Sequence, residues 1–236
     1  MQDLFLTTRW TSVLAAADAD TGRALEALGD LCQAYWYPLY AYARRRGYDQ
    51  HDAEDLTQGF FERLLKLNSL AGLSRERGKF RAFLLASMNH YLADEWSRAS
   101  AQKRSLRRTI SLDAEQAEGR YTAEAVDKMS PERLFERAWA LTVLEAVVQR
   151  LRLEYEASGR GAIFMELRFA ITGEKNAAPY ADLAARLGIS EESVRVGVHR
   201  LRQRYRSLLR EEIARTVGEN EDVQVEMQHL RSVLAS

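Results

Sequence analysis

An all-α fold of two helical domains is predicted by three features of this 236-residue sequence. Apolar residues recur at helical rather than alternating intervals through most of the chain. Only three prolines and 13 glycines interrupt it, and no sustained run of alternating β-branched residues appears. The third feature is the stretch YADLAARLGISEESVRVGVHRLRQRYR, from Tyr180 to Arg206, in which two short helical patterns flank a turn. That spacing is a helix-turn-helix.

In its first helix Leu183, Ala184 and Leu187 fall on one face. Gly188 stands where a helix C-terminus favours a left-handed residue, and Ser190 where the next helix wants an N-cap oxygen. In the second helix Val194, Val198, Leu201 and Tyr205 turn inward, so Ser193, Arg195, His199, Arg200 and Arg202 project elsewhere. From Arg186 to Arg210 seven basic residues stand against two acids, Glu191 and Glu192. A helix of this kind can enter the major groove and meet guanine edges or phosphates. The alternative is an ordinary helical hairpin with a solvated basic face.

The formal net charge of zero conceals segregation. From Arg75 to Arg108 there are nine Lys or Arg against three acids, whereas Glu211 to Ser236 carries six acids and two arginines. Local patches, not the total, set the footprint for a polyanion. The single cysteine, Cys32, excludes an intrachain disulfide or a cysteine-based zinc site and is expected in the core. No signal peptide and no apolar run of about 18 residues is present, so a cytoplasmic protein is expected.

In chain order, residues 1–21 form an N-terminal extension whose Leu4, Phe5, Trp10, Val13 and Leu14 suggest a docking helix. A first domain over 22–108 begins with a helix from about Arg23 to Arg46, which Pro38 is expected to kink or divide. Asp49 and Asp52 then form a box-like cap for a helix reaching about Leu67. Ala53, Leu56, Phe60 and Leu64 are its buried stripe, and Asp52, Glu54, Asp55, Gln58 and Glu62 lie on outward faces. A polar connector leads into a helix with Phe80, Phe83, Leu84, Ser87, Tyr91 and Leu92 inward. Around it stand Arg75, Arg77, Lys79, Arg81, Asn89, His90 and Arg98, a mixture of cations and aromatics that suits single-stranded nucleic acid. Residues 109–130 read as a linker. A second domain over 131–216 opens with Ser130 as N-cap and Pro131 at the first helical position. The acidic segment 217–236 carries a narrow stripe, Val223, Met227, Leu230 and Leu234, expected to dock on that second domain and shield its basic helix.

These motifs resemble the extracytoplasmic-function sigma factors, the small two-domain group of sigma-70-type factors. DAEDLTQGFFERLL (Asp52 to Leu65) is similar to region 2.2, GKFRAFLLASMNHYLADEWSR (Gly78 to Arg98) to regions 2.3 and 2.4, and the helix-turn-helix to region 4.2. The opening TTRW, the AYWYPLYAYARRRGY and PERLFERAWAL segments and the tail resemble an enlarged subgroup. The resemblance implies a non-enzymatic subunit without a cofactor that binds core RNA polymerase through Asp52, Glu54, Asp55 and Gln58. It implies minus-10 DNA contacts at Arg75, Arg77, Lys79, Asn89, His90 and Arg98, and minus-35 contacts at Ser193, Arg195, Val196, His199, Arg200 and Arg202. It also implies a regulator, either an anti-sigma factor or a Ser/Thr kinase acting near Thr57. Phe83, His90 and Gly197 depart from residues common in the family; Gly197 would permit close approach to the DNA backbone.

Two other functions compete on the residues alone. A conventional helix-turn-helix regulator with a sensing or dimerising first domain explains only the C-terminal half. A metal-dependent hydrolase would use His90 and Asp94 at i and i+4, but two ligands do not complete a site.

Overall fold

The computed structural model describes residues 22–66, 79–101, 114–124, 129–173, 178–217 and 222–235, the side chains of 22–33, 65–66, 99–101, 114–116, 123–124 and 215 excepted. The expectations for residues 1–21, Arg75 and Arg77, and for the Cys32 side chain, fall outside the described residues. Every regular element among the described residues is a helix: α1 (Gly22–Arg45), α2 (Gln50–Lys66), α3 (Phe80–Ala101), α4 (Ala114–Glu124), α5 (Pro131–Ala157), α6 (Gly161–Leu167), α7 (Phe169–Thr172), α8 (Tyr180–Leu187), α9 (Glu191–Thr216) and α10 (Val223–Ala235). They form two compact units, one of the described residues up to Thr142 with those from Arg215 onward, the other Val143–Ala214. The division falls inside α5 and α9 rather than at 109–130.

In the first unit, α1 packs on α2, and α2 on α3. Pro38 is buried inside α1 and does not divide it. A proline costs a helix interior about 3 kcal/mol, whereas each large side chain fully buried contributes roughly 1.5–3 kcal/mol. Tyr35, Leu39, Tyr40 and Tyr42, all buried around the proline, therefore outweigh it. Asp49 caps α2 as predicted, its Oδ1 accepting the Asp52 N–H at 2.8 Å. The inward stripe of α2 is rotated from the predicted one: Leu56 is half-exposed, while Thr57 and Phe61 are buried beside Ala53, Phe60 and Leu64. Thr57 is tolerated there because its hydroxyl donates to the Ala53 carbonyl at 2.7 Å. On α3 the buried residues are Phe80, Arg81, Leu84, Met88, Tyr91 and Leu92; Phe83 and Ser87 are half-exposed. Gly59 of α2 allows that approach, since a Cβ there would run into the Tyr91 hydroxyl.

The stretch expected to be a linker contains α4, which packs on α1. Its apolar periodicity is weak because polar groups make the contact. Glu118 accepts from Arg44 Nη2 at 2.7 Å and from the Tyr40 hydroxyl, and Arg44 lies over the Tyr121 ring. Burial pushes the Glu118 carboxyl up, but hydrogen bonds from Arg44 and Tyr40 outweigh it and hold the group below the ordinary carboxylate value. Burial, followed by the bond to Glu118, displaces the Tyr40 hydroxyl in the opposite direction, far above its ordinary range.

In the second unit Val147, Leu151, Tyr155, Phe164, Leu167, Leu183, Val194, Val198, Leu201 and Leu208 are buried. Gly188 adopts φ 65°, closing α8 with its N–H on Ala184 and Ala185, and Ile189 N–H reaches the Ala184 carbonyl at 3.0 Å. Ser190 Oγ then accepts the Ser193 N–H at 3.1 Å, the predicted N-cap of α9. Arg204 clamps α9 to α5 through both oxygens of Glu154, at 2.6 and 2.8 Å.

Gly197 has a packing role that differs from the one expected. A Cβ there would sit 2.9 Å from Leu167 Cδ1, and Leu167 is itself buried. The glycine lets α9 approach α6, so its missing side chain serves the core rather than DNA. Gly197→Ala should gain about 1 kcal/mol of helix propensity and lose roughly 1–3 kcal/mol to overpacking. The expected outcome is a net destabilisation of about 1 kcal/mol in urea unfolding followed by helical signal. A stabilised variant would show that Leu167 gives way freely.

Candidate functional site

Three groups of polar side chains stand on helices whose opposite faces are buried. The first is on α2. Asp52 is exposed, and Glu54, Asp55 and Gln58 are half-exposed. Glu54 accepts from Gln50 Nε2 at 3.2 Å, and Asp55 lies 3.9 Å from His51 Nε2. Neither contact removes the carboxylate from solvent, and Asp52 has no ion-pair partner among the described residues. The result is an acidic strip backed by a rigid aromatic core, suited to a basic protein surface. Thr57 lies beneath it at 0% exposure, so in the folded chain its hydroxyl is closed to a kinase.

The second group is on and before α3. Lys79 ends the connector, its carbonyl accepting the first N–H bonds of the helix, and its Nζ lies 2.6 Å from Glu226 of α10. Asn89 is half-buried and accepts the Tyr42 hydroxyl at 2.5 Å, which ties α3 to α1. His90 is exposed, with Nδ1 2.8 Å from the Ala86 carbonyl, and Arg98 is exposed with Glu95 at 2.5 Å. Asp94, the second ligand of the hydrolase alternative, is instead 2.8 Å from Arg63. One aromatic escapes the sequence reading: Trp96 is 70% exposed. Spacing gave no signal for it, since it falls four residues after the buried Leu92 and seven after Asn89, which faces α1. Its indole stands open to solvent on the helix that carries His90 and Arg98.

Arg81, expected among the outward cations, is instead 3% exposed. Its Nε donates to Glu136 Oε2 of α5 at 2.9 Å, Nη1 pairs with Glu226 Oε1, and the guanidinium lies 4.1 Å from the Trp139 ring centroid. His229 Nε2 adds a contact of 3.0 Å to Glu136. Glu226 and Leu230 are the buried residues of α10. This anchors α10 in the first unit through a carboxylate and corrects the expectation that its apolar stripe docks on the second domain.

The third group is on α9. Ser193, Arg195, Val196, His199, Arg200 and Arg202 are all exposed while Val194, Val198 and Leu201 are buried. The Ser193 hydroxyl shares the cap with Ser190 at 2.9 Å. Arg195 meets Glu192 at 3.0 Å in an exposed pair, which is weak and easily exchanged for a phosphate. Arg202 Nε donates to the Ala170 carbonyl at 3.0 Å, an anchor that leaves its other nitrogens outward.

Compared with known families, residues 31–102 match sigma-70 region 2. This part of the chain is similar to sigma-70 region 2. The match spans most of α1, all of α2 and all of α3, so the acidic strip and the α3 face both lie within the matched stretch. Comparison with curated proteins and with solved structures gives no match. No helix among the described residues is long and apolar enough to cross a membrane.

The contact between α3 and α10 depends on an ionised carboxylate. Burial pushes Glu226 up, but Arg81 and hydrogen bonds from Lys79 and Arg81 outweigh it and hold it below the ordinary carboxylate value. Arg81 is moved the other way: burial disfavours its charge, and Glu136 with Glu226 more than restores it. The groups that set this contact are Lys79 and Arg81 on the α3 side, Glu136 from α5 and His229 on α10. A carboxyl lowered by folding contributes stability above its unfolded pKa and loses it as pH falls through the folded value. Acidification below the ordinary carboxylate range, through the lowered value of Glu226, should therefore free α10, read as loss of amide protection over 223–235. Glu226→Gln should lower that protection at neutral pH and flatten its acid limb; an unchanged profile would contradict the ionic anchor.

Proposed function

We propose that this protein is an RNA polymerase sigma factor of the extracytoplasmic-function type, with a second helical domain equivalent to region 4. The observation that carries the reading is the region 2 match over residues 31–102, which includes both an acidic strip and a helix with exposed base-stacking and cationic groups. The strip of Asp52, Glu54, Asp55 and Gln58 docks on core polymerase. Lys79, Asn89, His90 and Arg98, with Arg75 and Arg77, engage the melted minus-10 strand, and Trp96 offers a stacking surface. Extruding a base costs a few kcal/mol, which stacking at about 1–3 kcal/mol per base and phosphate contacts can offset without ATP. Ser193, Arg195, Val196, His199, Arg200 and Arg202 on α9 read the minus-35 duplex as the second helix of a helix-turn-helix. Such a factor works in the cytoplasm, and a protein regulator such as an anti-sigma factor fits the same acidic strip.

The two surfaces are separable because they serve different partners. In the full chain, Asp52→Ala with Asp55→Ala should weaken capture of core polymerase at least tenfold while leaving affinity for duplex promoter DNA unchanged. Truncating a charge in a packed interface costs about 2–5 kcal/mol, and a solvated rim charge far less. Arg195→Ala with Arg200→Ala should do the reverse and flatten the salt dependence by about 0.9 for each phosphate no longer neutralised. Polymerase capture at the unmodified level in the acidic variant would remove the sigma reading.

A further inference from the structure

Glu226 occupies a cationic seat that a nucleic-acid phosphate would fill, and we propose that α10 is an internal competitor of single-stranded DNA for Lys79 and Arg81. This rests on the assignment of α3 to the melted strand. Lys79 and Arg81 converge on one carboxylate: Lys79 Nζ is 2.6 Å from Glu226 Oε2, and Arg81 Nη1 pairs with Oε1. The carboxylate is 1% exposed, whereas the lysine is 28% exposed and reaches the rim. Arg81 keeps a second partner, Glu136 at 2.9 Å, and its place against Trp139. The seat therefore survives departure of α10.

Charge arithmetic identifies the replacement. Lys79 and Arg81 against Glu136 and Glu226 are neutral; without Glu226 the cluster carries one positive charge. One phosphodiester restores the balance. Outside this contact α10 is held by the buried Leu230 and by His229, 3.0 Å from Glu136. Over its 13 residues only Glu226 and Leu230 are buried, and Val225 is 58% exposed. A helix this short is marginal by itself in water, so exchange of one anion for another releases it as a unit. The closed form leaves Lys79 neutralised in the free chain, and a strand presented by an opened promoter displaces the tail.

The test uses the full chain and a labelled oligothymidine read by fluorescence anisotropy. Glu226→Gln keeps the shape and removes the charge. It should raise affinity roughly three- to tenfold, in keeping with one charge-assisted contact, and steepen the salt slope by about 0.7, the single-strand value per phosphate. Adding Lys79→Ala to the Glu226→Gln background should abolish that gain and return the salt slope to the parent value. In the unsubstituted protein, saturating oligothymidine should increase amide exchange over 223–235, which keeps the test decisive if the Gln variant folds poorly. Unchanged or weakened binding in a folded Glu226→Gln variant, or unchanged exchange at saturation, overturns the competitor and makes α10 a structural brace. Core-polymerase capture is read separately, so loss of the sigma reading would appear there and not in the oligonucleotide measurement.

Discussion

The first unit depends on the burial of one guanidinium. Arg81 is held between Trp139, Glu136 and Glu226, so α3, α5 and α10 meet at a single charge. Such a charge is tolerable only while an anion faces it: removing the last member of a buried pair typically costs about 3–5 kcal/mol, although the intact pair contributes little net stability. The cluster accordingly specifies which helices meet rather than how strongly they bind. It also explains why the first twelve residues of α5 and the chain from Arg215 group with α1 to α4 in the first unit, for the partners of Arg81 lie in both segments.

The two units solve the display of charge in different ways. In the first unit the acidic strip of α2 is free of strong pairing and stands over Phe60, Phe61 and Leu64. Its cations, by contrast, are largely engaged: Lys79 by Glu226, Arg98 by Glu95 and Arg63 by Asp94. In the second unit the structural arginine and the outward arginines are distinct. Arg204 is consumed by Glu154 and Glu211 in fixing α9, while Arg195 and Arg200 remain exposed. Gly188, Ser190 and Gly197 set the direction from which that exposed face is presented.

Features that rest on local chemistry were legible in the sequence. The caps Asp49, Ser130 and Ser190, the left-handed Gly188 and the full span of α5 follow from residue type and 3.6-residue periodicity alone. What escaped were contacts between polar groups distant in the chain. Glu118 and Tyr121 made α4 look like a linker because a helix docked by ion pairs and ring faces has no apolar stripe. Arg81 looked solvated and Glu226 looked like part of an acidic tail for the same reason. Neither charge reveals its burial until its partner, 145 residues away, is known. Pro38 shows the opposite failure, a sound local rule overridden by aromatic burial on both sides of it.

The central claim is that this chain directs polymerase to open DNA. The most direct measurement supplies the purified full chain to core RNA polymerase on a library of promoter-length DNA, with transcript ends sequenced and unpaired thymines mapped by permanganate. The account predicts initiation at discrete positions and a melted segment upstream of each start that appears only when chain and core are both present. Duplex binding by the chain alone, with no core-dependent start site and no melted thymines, would contradict it and leave a conventional DNA-binding regulator.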